Sequence, residues 1–305
     1  MDTAISISPQ DLAARLGTLL APLVLDVRKP EPFAKSTHLL AGAQYCAPQD
    51  VAQWITNHNA AKREVVVYCV YGHHVSHTAA EQLRAVGWDA KYLQGGFEGG
   101  EEGADDAQDI ARWRAAALPK LVKLADWGIT GMGRTRWITR ASPKIDRIAC
   151  PWLIRRWVDA QAEFFYVPNA QVLSEAQRLH AVAYDIVGAP ITHQGELCSF
   201  DALLGGLGLQ SPALSLLARI VRGADTNLLS LEPPCAGLLA ITQGMARLHA
   251  GQDHAMLGAM MPIYDALYAW CVDKVAGQVQ PHVWTSPPPA SDAELRRMAS
   301  EARRA

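Results

Sequence analysis

Hydrophobic and polar positions divide the chain into two parts of different rhythm. Over about the first hundred residues, short apolar runs alternate with segments of helical period. Leu23 to Val27 (LVLDV) reads as a short strand. Val65 to Tyr68 (VVVY) is hydrophobic on both faces, as in a central strand of a parallel sheet. Ala90 to Leu93 (AKYL) reads as the next strand, followed by Gly95-Gly96. Between these runs, Ser8 and Pro9 supply a cap and a first helical residue for a stripe of Leu12, Leu16, Leu19 and Leu20. Ala47 to Thr56 reads as a further short helix. Val75, Ala79, Leu83 and Val86 form another stripe, stopped by Gly87. Strands alternating with helices predict an α/β domain over residues 1–100, its parallel sheet flanked by helices.

After Gly99 the pattern is lost. The acidic stretch EEGADDAQD opens a linker region, 101–136, with a helix expected over Ala111 to Ala125. A second, α-rich α+β domain is expected over 137–273. Its signals are a Ser142-Pro143 helix start, strands at Glu163 to Val167 and Ala181 to Ile186, and a helix between them from Ala170 to His180. Ser211-Pro212 opens a helix reaching about Arg222. Leu238, Ile241, Met245 and Leu248 stripe the next. Leu257, Met260, Met261, Tyr264, Leu267 and Cys271 stripe the last, where Pro262 predicts a kink. From 274 onward the chain is a proline-rich tail, expected to be extended.

Composition narrows the class. The chain has 305 residues, enough for two ordinary domains, and is 50% hydrophobic and 19% charged, which describes a folded protein. A net charge of −2 offers no overall basic excess for nucleic acid or an anionic membrane. The N-terminal residues lack a basic segment followed by an apolar core, and no apolar run approaches the ~20 residues of a membrane span. The expectation is a cytoplasmic chain with neither nucleic acid nor membrane as partner. Cysteines 46, 69, 150, 198, 235 and 271 are widely spaced with no CxxC, so reduced thiols are expected.

Cys69 ends the strand VVVY and stands just before a helix. An ordinary thiol, with pKa about 8.5, is mostly protonated at neutral pH. A helix N-terminus offers unpaired N–H groups and partial positive charge, which favour a sulfur anion. Val70, Tyr71, Gly72, His73 and His74 complete a loop whose amides can point inward, with Gly72 free to take a positive φ. The plainer reading is a buried cysteine ending a core strand. A phosphatase-type CX5R loop needs arginine six residues on, where Val75 stands. Asp26 and Arg28 read as structural or rim residues, Arg28 being the one that could reach a ligand in the loop.

These residues, taken in order, resemble a rhodanese. Asp26-Val27-Arg28 follows the first strand, with PEPF (Pro30 to Phe33) after it. LAGA (Leu40 to Ala43) resembles a PGA turn, VVVYC precedes the loop, and YLQGGFEG (Tyr92 to Gly99) resembles the closing signature. The resemblance covers a third of the chain. It implies a sulfurtransferase in which Cys69 attacks a sulfane-sulfur donor, carries a persulfide and passes sulfur to a thiol acceptor, with no cofactor required. Donor and acceptor are small molecules or proteins. The loop departs from many active rhodaneses: Val70 replaces arginine and His74 stands at the closing position. Histidines are mostly neutral at neutral pH, so the loop lacks permanent positive charge, and weaker recognition of dianionic thiosulfate is expected.

Residues 137–273 resemble the C-terminal domain of the ChrB chromate-resistance family. The likeness is carried by the segment from Trp137 to Val167, HQGELCSFDALL from His193, ARIVRGADT from Ala218, and the block from Arg247 to Cys271. It implies a connection to chromate, an oxyanion partner, and to regulation of resistance. Read as residues, His193, Glu196, Asp225, His249 and His254 are metal-binding types set among apolar neighbours and are candidates for a divalent metal. The plainer reading is loop histidines and a capping Asp253. Lys144, Arg147, Arg155 and Arg156 offer an oxyanion cluster or simply ion pairs; Cys150 is a redox candidate or a packing residue. Two functions stay open: a sulfurtransferase enzyme coupled to a chromate-associated domain, and a non-enzymatic sensor or regulator with a degenerate rhodanese module.

Overall fold

The computed structural model describes residues 5–58 and 63–279. In chain order the N-terminal part runs β1 (Ser6–Ile7), α1 (Pro9–Ala13), β2 (Leu23–Asp26), α2 (Pro30–Lys35), β3 (His38–Leu40), β4 (Ala43–Tyr45), α3 (Val51–His58), β5 (Glu64–Tyr68), α4 (His74–Ala85) and β6 (Asp89–Leu93). Five strands pair in parallel in the order β1-β6-β5-β2-β4. This is the predicted parallel sheet, with β5 at its centre. Ser8 caps α1 by accepting from the Asp11 amide. The helix ends at Ala13, about two turns short of the end of the leucine stripe. Leu12 and Leu16 are buried, but Leu19 and Leu20 are about 70% exposed because the Arg15 carbonyl accepts from Thr18 and turns the chain away.

Alternation along β5 decides what covers each face of the sheet. Val65, Val67 and the following Cys69 enter an apolar cluster with Val51 of α3 and Ala79, Ala80 and Leu83 of α4. Val66 and Tyr68 point the other way, into a cluster continuous with Trp137, Trp152 and Trp157. One face of the N-terminal sheet therefore shares its core with the C-terminal part. A backbone bond from Gly42 N to the Trp157 carbonyl, 2.6 Å, crosses the same seam.

Residues 101–136, expected as a linker, fold onto the first domain. They form α5 (Ala107–Ala115), with Ile110 and Trp113 buried, and β7 (Lys120–Val122), antiparallel to β3. The helix expected to reach Ala125 ends at Ala115, ahead of Pro119, which disfavours helical backbone at Leu118. The C-terminal part continues with β8 (Arg136–Arg140), α6 (Asp146–Leu153), β9 (Glu163–Val167), α7 (Val172–Leu179), β10 (Val182–Ala183), α8 (Ser199–Leu207), α9 (Pro212–Asp225), α10 (Cys235–Leu248) and α11 (Asp253–Val275). The three strands form a parallel sheet with β8 central. The strand expected over Ala181 to Ile186 shrinks to two residues because Asp185 takes φ 53° and turns the chain. Helix α6 starts at Asp146, three residues after Pro143. Pro151 lies inside it, and a wider π turn follows over Ile154–Val158. Helix α11 is long and apolar enough to cross a membrane by length and composition. Seven of its residues, among them Met256, Met260 and Tyr264, are buried in this domain's core. The proline-rich tail beyond 279 lies outside the described residues.

Glu64, at the start of β5, ties the sheet to the turn after α1. Its carboxylate accepts from Arg15 (2.8 Å from Nη1) and from Lys91 of β6 (3.0 Å). These two cations, Arg15 first, hold the Glu64 carboxyl down at about 2. A depressed carboxyl contributes stability that is full above the ordinary value of 4.5 and is lost as pH falls through 2. Replacing Glu64 by Gln is expected to cost about 1–2 kcal/mol at pH 7 after allowance for solvent screening. Urea unfolding at falling pH should show the gap between wild type and Glu64→Gln closing below about pH 4.5; a gap independent of pH would contradict this account.

Candidate functional site

Strand β5 ends at Tyr68 and delivers Cys69 to the sheet's C-terminal edge, where the chain loops through Val70–His73 into α4. The amides of Val70, Tyr71, Gly72, His73 and His74 find no backbone acceptor among the described residues. Two bonds fix the loop from the closing segment: Phe97 N donates to the Cys69 carbonyl and Glu98 N to the Val70 carbonyl, each at 2.9 Å. The two segments touch through glycines. Gly72 has φ 79°, and a Cβ there would lie 2.7 Å from Gly96 N. A Cβ on Gly96, φ 59°, would lie 2.3 Å from Gly72 N and 2.7 Å from the Cys69 carbonyl oxygen. Only glycine fits where backbone meets backbone this closely.

Cys69 is 6% exposed. Its Sγ lies 3.3 Å from Ser76 Oγ and 3.9 Å from the His73 carbonyl oxygen. Ser76 is fully buried and donates to that same carbonyl at 3.0 Å. The sequence reading missed Ser76. The signal was available, because side chains in a helix's first turn lean toward its N-terminus, here onto the loop. The two loop histidines part company. His73 packs its Nε2 2.9 and 3.0 Å from the Asp105 carboxylate oxygens, and its Nδ1 lies 3.5 Å from Glu101. Both acids come from the stretch read as linker. His74 is exposed at the first position of α4. His77 stacks 3.7 Å from Tyr92, and burial lowers its pKa.

Arg28, read as a structural or rim residue, is buried. Its guanidinium pairs with Asp26 at 2.6 Å, donates to the His38 carbonyl and lies 4.1 Å from the Phe97 ring. Tyr68 Oη also donates to Asp26, at 2.8 Å. Arg28 thus clamps the end of β2 and is already committed to a carboxylate. It nonetheless lines a cleft of about 900 Å³ between the two parts of the chain. Lys35, His38, Val70, Phe97, Glu98 and Lys120 line it on one side, and Gly208, Leu209 and Gln210 of the second domain on the other. Lys120 stands 4.0 Å from the Phe97 ring, and burial, aided by Arg28, lowers its pKa.

Of the five metal candidates in the second domain, the structure brings His193 and Asp225 together. Glu196 and His254 are exposed and His249 ends α10, all three outside the cluster; His254 packs edge-on to Tyr166. The cluster instead recruits two carboxylates the sequence reading left out of the candidate set, Asp146 at the start of α6 and Asp185 after β10. His193 Nε2 lies 3.3 Å from Asp146 Oδ2, 3.4 Å from Asp185 Oδ1 and 3.3 Å from Asp225 Oδ2. The facing carboxylates, Asp146 first, then Asp225 and Asp185, hold the His193 pKa up at about 9. Burial, then the facing Asp146 carboxylate, push Asp185 and Asp225 up. The signal for Asp146 and Asp185 was a lone acid inside an apolar run, KIDRIAC and AVAYDIV. The basic cluster disperses. Arg147 pairs with Asp185, Arg156 with Asp265, and Arg155 lies over Phe164. Cys150 is fully buried, which raises its pKa strongly and makes it a packing residue.

Replacing Gly96 by Ala is expected to push the closing segment off the loop and to speed labelling of the buried Cys69 by a thiol reagent by more than about tenfold while the protein stays folded by circular dichroism. Unchanged labelling would show that this backbone contact does not position Cys69.

Residues 8–102 match the family model described as rhodanese-like domain, and residues 137–271 match that described as ChrB, C-terminal domain. Protein ChrB of Cupriavidus metallidurans is 31% identical over 134 residues, covering 44% of this chain. The chain spans 40% of the length of that relative. Among solved structures, reduced CoADR-RHD of Bacillus anthracis is 17% identical, with 31% of this chain and 16% of that chain covered and a TM-score of 0.27. A rhodanese homologue from the extremely thermophilic bacterium Thermus thermophilus is 31% identical, with 30% and 95% covered and a TM-score of 0.24. At these TM-scores neither structure carries weight, and the fold stands on strand order and the family model. The chain therefore joins a rhodanese-like domain, residues 8–102, to a ChrB C-terminal domain, residues 137–271.

Proposed function

We propose that the N-terminal domain is a sulfurtransferase in which Cys69 carries a persulfide, and that its donor is a persulfide in preference to thiosulfate. The observation that carries this reading is the position of Cys69 Sγ beside a loop whose five amides, Val70 to His74, have no backbone acceptor among the described residues. Unpaired amides at a helix start are suited to a sulfur anion. The Cys69 thiolate attacks the outer sulfur of R–S–SH; the new S–S bond forms as the old one breaks, and R–S⁻ leaves. An acceptor thiolate then attacks the outer sulfur of Cys69–S–SH, takes it as a persulfide, and the Cys69 thiolate departs. The Ser76 hydroxyl, now turned to the His73 carbonyl, has only to rotate to donate to the departing sulfur.

The donor preference rests on charge. His73, the loop residue best placed to meet an anion, already faces Asp105 and Glu101, and Arg28 faces Asp26. A dianion gains less here than a singly charged persulfide. The cleft between the domains, with Lys120 on its wall and Val70 at its edge, is where we place the donor and acceptor. Likeness of the second domain to Protein ChrB supports a role in chromate resistance, with sulfur transfer in the reducing cytoplasm, where six unpaired cysteines would persist. Burial of Cys69 favours a second reading, a sensor in which the thiol is modified without turnover.

The test is thiocyanate release from cyanide with glutathione persulfide or thiosulfate as donor, where Cys69–S–SH and CN⁻ give Cys69–SH and SCN⁻. The persulfide should be the better donor, Cys69→Ala should be inactive, and Ser76→Ala should lose about tenfold, the equivalent of about 1.4 kcal/mol. Folded wild type that turns over neither donor would remove the enzyme reading and leave the sensor.

A further inference from the structure

We propose that Asp146, Asp185, His193 and Asp225 form a binding site for one divalent first-row transition ion, zinc in type. Four separate segments converge here: the start of α6, the turn after β10, the loop at 193 and the end of α9. One ligand atom from each of Asp146, Asp185 and His193 lies within 4.8 Å of the others, and Asp225 Oδ2 stands beside this trio, 3.3 Å from His193 Nε2.

Hydrogen bonding does not account for this arrangement. A single ring nitrogen can donate one proton, yet three carboxylates approach Nε2 at almost equal distance. Asp185 has partners of its own: Ser199 donates to Oδ1 at 2.9 Å, and Arg140 and Arg147 hold Oδ2 at 3.0 and 3.1 Å. Asp146 Oδ2 has none. It is buried, on a side chain 3% exposed, accepts no hydrogen bond among the described residues and points at His193. A buried carboxylate oxygen left in this way is costly unless something positive meets it.

The spacing fits a cation. Metal bonds of ~2.1 Å in a tetrahedron put neighbouring ligand atoms ~3.4 Å apart, which matches the 3.3 to 3.4 Å from Nε2 to each carboxylate. Three oxygens and one imidazole nitrogen suit zinc and its neighbours, and no thiolate is present in the set to select a softer ion. The guanidiniums and Ser199 fix Asp185 from behind, as outer partners of a ligand do. His193 is 40% exposed and forms the open side through which an ion enters.

Cobalt(II) reports the site without any assay of activity. The metal-stripped full chain is titrated with Co(II), and the strong visible bands of a tetrahedral complex are followed, with Zn(II) as competitor. The expected result is bands saturating at one ion per chain, abolished by Zn(II). Asp146→Asn and His193→Ala should each weaken binding by at least about tenfold. His193 is half-exposed on a loop, so its variant is expected to fold, checked by circular dichroism. Cys69→Ala should bind as wild type does. Absence of tetrahedral bands in wild type, or bands that persist unchanged in both cluster variants, would overturn the site.

Discussion

The N-terminal domain depends on one close approach of backbone to backbone. Gly72 and Gly96 meet with no room for a Cβ on either. That contact lets Phe97 and Glu98 donate to the carbonyls of Cys69 and Val70. With those carbonyls tied down, the amides of Val70 to His74 find no backbone acceptor among the described residues. The cradle is therefore a consequence of what the closing segment takes from the loop as much as of the loop's own sequence. The same segment supplies Phe97, whose ring lies 4.1 Å from the Arg28 guanidinium and 4.0 Å from the Lys120 ammonium. It thus sets both the floor at Cys69 and one wall of the cleft.

Period-two alternation along a single strand joins this cradle to the rest of the chain. Val65, Val67 and Cys69 belong to the face covered by α3 and α4, while Val66 and Tyr68 belong to the face shared with the second domain. A shift of register by one residue would exchange the two sets. The Tyr68 hydroxyl, held by Asp26 and donated to by the Leu40 amide, closes that second face beneath Arg28. Because one apolar cluster runs across the seam, the ChrB-type domain is not a passenger on a loose tether; its residues 208–210 form the far wall of the cleft beside the loop.

Much of this was legible in the sequence because it is local. Apolar runs, the Ser-Pro starts and the strand-to-loop position of Cys69 are set by residues near one another in the chain, and the central strand and α4 stand where the pattern put them. The rest depends on distant partners. Asp105 looked like solvated linker because nothing local says that His73, thirty-two residues earlier, will lie beside it. Asp146 and Asp185 were single acids in apolar runs, and only the fold brings them to His193. Glu196 shared a short segment with His193 and seemed the better companion, yet the turn at Gly195, φ 60°, leaves it in solvent. Proximity in sequence pointed to Glu196, while burial in an apolar run marked the two carboxylates that stand beside His193.

The two sites follow opposite electrostatic logic. In the rhodanese-like loop the protein presents amides with no backbone acceptor among the described residues, and it commits two nearby side chains to internal carboxylates: His73 to Asp105, Arg28 to Asp26. What remains for a ligand is a set of neutral dipoles, which bind an anion without demanding high charge. In the second domain it presents acceptors. Three carboxylates face one imidazole, and the only guanidiniums among the described residues that pair with the cluster, Arg140 and Arg147, contact Asp185 alone. Such an excess of buried acceptor is stable only if a proton or a cation is shared among them. The two places in one chain therefore suit ligands of opposite charge, donors at the loop and acceptors in the second domain. A zinc-type ion that entered the cradle would bind the Cys69 thiolate and block it. The proposed oxygen-rich site would give such an ion another place to bind.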